Sequence, residues 1–322
     1  MKVTEHYARA SEPAVSFEII PPVRGGSVNR VFDILDRLMK YHPPFIDVTS
    51  HAAEVSYEER PDGSVQRRTR RKRPGTIGLC AAIKHGYKVD PVPHLICKGF
   101  TREETEDALI ELNYLGIENI LAIRGDETIH NKPVEASRTV NEYAADLVRQ
   151  IALMNKGIYL DALLDAQATN FCVGVGGYPE KHSDAPNMAY DIDRLKEKVN
   201  AGADYIVTQM FFENNAYFDF VKQCRNAGIE VPIVPGLKIL TTPRHLTMLP
   251  RTFHLSIPEE LVNEVTSRPD HAADIGIEWA VGQCRELLDS GIPGLHFYIM
   301  GNPEHAVRVI DQLDLIPATG IQ

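Results

Sequence analysis

The chain has 322 residues, 43% hydrophobic and 24% charged, and a formal net charge of -10. This is ordinary globular composition in a chain long enough to bury a large core without disulfide staples. The acidic balance argues against general nucleic-acid binding, and no apolar run approaches the ~20 residues that cross a bilayer.

The length admits two modest domains or one α/β barrel, since such barrels often run to ~250 residues or more as a single domain. The five cysteines, Cys80, Cys97, Cys172, Cys224 and Cys284, are odd in number and share no metal-ligand spacing. They read as reduced core thiols of a cytoplasmic protein. Met1 to Pro13 carries no apolar stretch of the secretory kind, so no signal peptide is expected.

In chain order, short apolar runs alternate with helical patterns. The runs are Val15 to Ile20, Phe45 to Thr49, Pro93 to Cys97, Ile117 to Ile123, Phe171 to Val175, Tyr205 to Thr208, Val231 to Val234 and Gly294 to Tyr298. Between the third and fourth, Arg102 to Leu115 has helical spacing, with Thr101 as N-cap and Glu104 at capping-box distance. Ala189 to Ala201 and Tyr217 to Ala227 each end at a glycine, Gly202 and Gly228, as helices do at a C-cap. Pro250 to Asp274 reads as an extra helical insert before a long helix over Ile275 to Leu288. Strands alternating with helices imply a parallel sheet, and eight strands is the number that closes a (β/α)8 TIM barrel. A doubly wound open sheet is the competitor, but no GxGxxG follows the first strand. No linker divides the chain, so residues 1–322 read as one domain.

The basic run Arg67, Arg68, Arg70, Arg71, Lys72 and Arg73 follows the turn signal Pro61-Asp62-Gly63. Its plainer reading is a solvated loop; a phosphate-gripping lid or a local RNA contact is the alternative.

Chemistry concentrates at the strand ends, where α/β barrels build their sites. Ile123-Arg124-Gly125-Asp126 closes the fourth run with a cation, a flexible glycine and a carboxylate. Glu18 sits inside the first run, where apolar neighbours disfavour its ionised form and suit it to act as a general acid. Thr49-Ser50, His94, Tyr178 to His182 and Gln209 complete a polar rim. The rim holds no metal-ligand cluster and no nucleophile with a base beside it, so neither a metal nor covalent catalysis is expected. A large polar rim with few charges suits an organic cofactor that carries the chemistry itself. Asp191 and Lys198 lie seven residues apart, on one helix face, as a ribose and a phosphate would need; a solvated face is the plainer reading of the pair alone.

The motifs Phe17-Glu18-Ile19-Ile20-Pro21-Pro22, Pro93-His94-Leu95-Ile96-Cys97, Ile123-Arg124-Gly125-Asp126, Gly177-Tyr178-Pro179-Glu180, Thr208-Gln209-Met210-Phe211-Phe212 and Leu295-His296-Phe297-Tyr298 come in order. Together they resemble the methylenetetrahydrofolate reductase family in its short, catalytic-only form. The resemblance implies an FAD-containing barrel that reduces 5,10-methylenetetrahydrofolate to 5-methyltetrahydrofolate with NADH or NADPH, in two half-reactions on one flavin face, feeding methionine synthesis. Matched position by position, Glu18 is the catalytic acid and Asp126 the carboxylate near flavin and folate. Ser50, Ala52, His94, Arg124, Gly125, Ala144, Tyr178, His182, Ala185, Asp191 and Lys198 match flavin contacts. Thr49 matches a nicotinamide contact, and Gln209 a residue shared by folate and nicotinamide. His245 stands near a folate-contacting position. Relatives commonly form homo-oligomers, so a homo-oligomer is implied; no nucleic acid or membrane partner is. Departures from the pattern are Met300-Gly301-Asn302-Pro303 where the family usually has Leu-Asn-Arg, and Glu197 where some members have Arg. A proline-dehydrogenase-like flavin barrel and a non-catalytic RNA-binding barrel are the other readings.

Overall fold

The computed structural model describes residues 1–125, 132, 134–135, 137–313 and 315. Among the described residues eleven strands are interspersed with helices: β1 (Ala14–Ile19), β2 (Phe45–Val48), β3 (Ala53–Glu59), β4 (Val65–Arg71), β5 (Asp90–Ile96), β6 (Asn119–Ile123), β7 (Cys172–Gly177), β8 (Tyr205–Thr208), β9 (Ile233–Val234), β10 (Gly236–Leu237) and β11 (Gly294–Met300). The main helices are α1 (Val3–Arg9), α2 (Asn29–Leu38), α3 (Thr76–Ala82), α4 (Arg102–Tyr114), α5 (Ala144–Met154), α6 (Met188–Ala201) and α7 (Asn214–Asn226). They continue with α8 (His245–Phe253), α9 (Glu259–Ser267), α10 (Ala272–Asp289) and α11 (Glu304–Asp311).

Nine strands form one parallel sheet in the order β10-β11-β1-β2-β5-β6-β7-β8-β9. Its two ends, β9 and β10, flank Pro235 and are halves of one interrupted strand. Proline has no N–H to give a ladder, which accounts for the break. Its carbonyl still accepts from His296 N at 3.1 Å. The ring therefore closes over eight strand positions, as the alternation of runs predicts. The helical insert before the last strand is α8 and α9, followed by the long α10.

Alternation along each strand divides the core. Val15, Phe17 and Ile19 point out to the helices and join Leu35, Leu38 and Ile310 in the large core cluster. Ser16 and Glu18 point inward. The lower interior of the barrel is packed by Phe45, Val92, Leu121, Cys172, Tyr205, Val207 and Val234, with Val3 of α1 among them. Helix α1, which no periodic signal marks in the sequence, thus plugs the barrel floor. Val3 N donates to Asn119 Oδ1 at 2.8 Å, and Asp90 takes the Met1 ammonium at 2.9 Å.

Local signals hold where they are strong. Thr101 Oγ1 accepts from Glu104 N at 3.0 Å while Thr101 N donates to Glu104 Oε2 at 2.8 Å, the reciprocal capping box of α4. Gly202 and Gly228 take φ of 122° and 78° at the ends of α6 and α7. The basic run departs from its expectation as a loop. Arg67 to Arg71 lie in β4, paired antiparallel with β3, and Arg68 meets Glu58 at 3.1 Å. Glu54 directly opposite Arg70, and Glu58 diagonal to Arg68, help a densely charged strand pair, because cross-strand opposite charges are favourable.

Gly174 is there for space. A Cβ on it would sit 2.3 Å from Cζ of Tyr205, whose ring fills the barrel at that level. Gly174→Ala is expected to overpack this layer and cost about 1–3 kcal/mol. Urea unfolding should show a lowered midpoint with an unchanged slope.

Candidate active site

Strand β1 carries Glu18 into the upper interior of the barrel, 9% exposed. Its Cα partner in the sheet is Asp47 of β2, which is fully buried. His94 of β5 stands between them, its Nε2 3.6 Å from Glu18 Oε2 and 3.3 Å from Asp47 Oδ2. Two carboxyls and an imidazole thus share one small space above the apolar floor. Burial pushes the Glu18 carboxyl up to about 7; the Asp47 charge adds to this, while His94 and Lys238 oppose it. Burial alone would lower the His94 ring, but the hydrogen bond to Asp47 and the charges of Glu18 and Asp47 prevail and raise it.

Lys238 follows β10 and donates to the Tyr298 carbonyl at 3.0 Å. Burial pulls its ammonium down to about 8, against the pull of Glu18. Tyr298 donates its hydroxyl to the Thr208 carbonyl at 2.6 Å, across Gly236, where any Cβ would lie 2.1 Å from that same oxygen. His296 sits one layer deeper with Nδ1 2.9 Å from Ser16 Oγ.

The β6–β7 side of the mouth is built differently. Arg124 reaches Asp184 at 2.8 Å and lies over the Tyr143 ring. Gly125 has φ of 80° and packs so near Ile96 that a Cβ would come within 3.2 Å of its side chain. Helix α6 turns Asp191 and Lys198 to one side. Asp191 Oδ2 accepts from His182 N at 2.8 Å, and Lys198 Nζ donates to the Gly176 carbonyl at 2.8 Å. Burial brings Lys198 down to about 8, partly offset by Asp191. The Tyr178 and His182 rings meet edge to face at 4.6 Å, and burial lowers the His182 ring. Ala185 is buried in that loop, and its carbonyl accepts from Lys181 Nζ at 2.6 Å. Ala144 opens α5 beside a cavity of about 390 Å³ lined by Cys97, Lys98, Gly99, Arg124, Lys132 and Tyr143.

Thr49, Ser50 and Ala52 form the loop after β2, with Thr49 N bonded to Ile19 O at 3.1 Å and Thr49 Oγ1 buried without a partner among the described residues. Gln209 follows β8 and folds its Oε1 back to accept from Met210 N at 2.9 Å. His245 begins α8, its Nδ1 accepting from Thr241 N at 3.1 Å; burial lowers it, helped by Lys238 and His305. The strands and loops therefore gather the predicted residues around one mouth, in an acid cluster, a cationic rim and a third side at Gln209 and His245. Asp126 lies outside the described residues. Asp47 and Lys238 escaped sequence reasoning, although an Asp within the run Phe45 to Val48 is the same signal that marked Glu18.

Comparison with known proteins gives this architecture a family. The sequence model of the methylenetetrahydrofolate reductases matches residues 2–314. The chain belongs to the methylenetetrahydrofolate reductase family. It is 33% identical to methylenetetrahydrofolate reductase 1 of Schizosaccharomyces pombe over 94% of this chain and 46% of that protein. It is 26% identical to the 5,10-methylenetetrahydrofolate reductase of Pectobacterium carotovorum over 94% of this chain and 91% of that one. The chain thus spans about half the length of the longer curated relatives it matches. A Clostridium thermocellum protein whose structure binds two copies of 5-methyl-5,6,7,8-tetrahydrofolic acid shares the fold, at TM-score 0.58 and 12% identity over 97% of this chain and 99% of that chain. Among the described residues of this family member, no cluster of three or more His, Cys, Asp or Glu could hold a metal, and no helix is long and apolar enough to cross a membrane.

The raised pKa of Glu18 has a consequence for stability. The folded protein keeps this proton to about pH 7, while an exposed glutamic acid releases it near its ordinary 4.5. Between those values the native state binds more protons than the unfolded one, so stability falls as pH rises and then levels off. Glu18→Gln, which cannot ionise, should gain about 3 kcal/mol relative to the parent between pH 4.5 and 7. Urea unfolding of both proteins across that range measures the difference.

Proposed function

We propose that this chain reduces 5,10-methylenetetrahydrofolate to 5-methyltetrahydrofolate, using NADH or NADPH with FAD as the carrier between them. The observation that carries the reading is a buried carboxylic acid, Glu18, held protonated near neutrality at the mouth of a barrel of this family. A general acid is most useful when its proton affinity matches the working pH.

The residues present fit a flavin dinucleotide. Arg124, Lys132 and Lys98 bring cationic groups to the cavity beside α5, where a pyrophosphate would be balanced. Lys198 is a buried ammonium on the same side, and Asp191 behind it suits ribose hydroxyls. The loop from Thr49 to Ala52, with Gly125 opposite, would flank the ring system, and the Thr49 hydroxyl, which has no partner among the described residues, would face a ligand there. When bound, the flavin supplies two-electron transfer, taken from the nicotinamide and given to the folate in a ping-pong sequence.

The chain's own part is positioning and proton transfer. Gln209 and His245 border the space where the pterin would lie, and either ligand would use it in turn. Glu18 transfers its proton to the folate nitrogen that departs as the imidazolidine ring opens. The C–N bond pair goes to that nitrogen, and the methylene carbon is left as an iminium cation, ready for reduction. Asp126, matched to the family's second carboxylate, would stabilise this cation.

Purified protein should be yellow, bleach anaerobically with a nicotinamide dinucleotide, and regain colour with methylenetetrahydrofolate. Glu18→Gln should still bind flavin and oxidise the nicotinamide but reduce the folate ~10²–10⁴-fold more slowly, the usual worth of a general acid. A colourless protein, or normal folate reduction by the variant, would overturn the reading. Asp126→Asn should slow the folate half-reaction more than the nicotinamide one, as stopped-flow absorbance at the flavin band would show.

A further inference from the structure

Glu18 is not alone in its pocket, and the arrangement around it is more than burial. Asp47 is the fully buried sheet neighbour of Glu18, yet it accepts from the protein through only one described contact, at 3.3 Å from His94 Nε2; its Oδ1 has no partner among the described residues. The same ring nitrogen is the one nearest Glu18, at 3.6 Å. One N–H edge therefore faces two carboxyls supplied by adjacent strands. A buried carboxylate left half-satisfied costs free energy, so its retention calls for a charge it balances.

We propose, resting on Glu18 as the general acid, that Asp47 is a positioning residue that clamps His94 as an imidazolium against Glu18. In this arrangement the carboxylate formed when Glu18 gives up its proton is paired at once with a fixed cation. Asp47 does not touch the ligand and exchanges no proton. It fixes the orientation and charge of the ring, and the ring sets how readily Glu18 lets go.

Other ionisable groups around the cluster do not replace this pairing. Lys238 and Tyr298 face Glu18 from the β10–β11 side, and His296 faces Asp47 and His94 from below. Tyr7, Tyr205 and Cys80 surround Asp47, and each is held neutral by burial and by that charge. Among the described residues Lys238 is the one further cation acting on Glu18, and its influence is smaller than that of His94.

The two effects of Asp47 on Glu18 have opposite signs, which makes the proposal testable. Directly, its charge raises the proton affinity of Glu18. Indirectly, by keeping His94 cationic, it lowers it, and the His94 effect is the larger of the two. Removing the Asp47 charge should therefore make Glu18 a weaker acid, not a stronger one.

The experiment is an infrared titration of the buried carboxylic-acid C=O band in the purified full chain with its flavin, the band being assigned by its loss in Glu18→Gln. In the parent it should titrate near pH 7. In Asp47→Asn it should titrate higher by about one pH unit, the usual effect of losing a close opposite charge. His94→Gln should shift it in the same direction, and the double variant no further. The alkaline limb of the folate half-reaction, where the general acid loses its proton, should move with the band. A band that stays in place or moves to lower pH in Asp47→Asn overturns the proposal, because a merely structural or direct-charge role predicts those results. Should Asp47→Asn fail to fold, an unshifted or lowered band in His94→Gln overturns it equally. Parent protein whose band titrates and shifts as described but which never reduces methylenetetrahydrofolate would sink the proposed function and leave the clamp standing.

Discussion

An ionisable group inside a barrel is the constraint around which this molecule is arranged. A carboxylate stripped of water is so costly that it either stays protonated or acquires partners. Glu18 does the first and Asp47 the second, and a single histidine serves both. That combination demands rigidity, since a ring free to turn would leave two acids facing one another. Rigidity comes from below. Phe45, Tyr205, Val207 and Val234 fill the lower barrel, and α1 closes it with Val3. The polar upper layer rests on an apolar floor that excludes water from beneath.

Glycine and aromatic residues divide the labour of closing the ring. Tyr205 needs Gly174 opposite it, and Tyr298 needs Gly236. The stretch Gly174 to Gly177 is glycine-rich but lacks the glycine spacing of a dinucleotide loop. In the structure two of its glycines make room for neighbours: Gly174 for Tyr205, Gly177 for Ile206 and Phe220. On the proposed function, the groups that would meet a phosphate sit instead on side chains, Lys198 and Arg124, because the backbone amides of this stretch are taken up by the sheet.

Much of the fold was legible because burial on both faces of a parallel strand leaves a short apolar run, and helices between such runs keep their own period. The capping box at Thr101 and the glycine stops at Gly202 and Gly228 fixed helix ends to within a residue or two. Three features were not legible. Helix α1 is short, and only its contact with Asn119, Asp90 and the barrel floor makes it a helix. The hairpin β3–β4 carries charge where strands usually carry apolar residues, and pairing between the two strands supplies what hydrophobicity does not. The break at Pro235 hides one strand as two fragments.

The site shows the same division. Residues at strand tips, such as Arg124, Tyr178 and Gln209, stand out because charge or hydrogen-bonding capacity appears where a run ends. Asp47 stands inside its run, and its meaning depends on a neighbour 47 positions away, His94. Periodicity places Asp47 facing inward but cannot say what it faces. Only sheet order does: β2 lies between β1 and β5, so an inward residue on β2 must sit between the inward residues of those strands. The acid, the ring and the second acid are neighbours because the strands that carry them are neighbours. Burial raises the proton affinity of Glu18 most, and the charges that then adjust it come from neighbouring elements: His94 of β5, Asp47 of β2 and Lys238 just after β10.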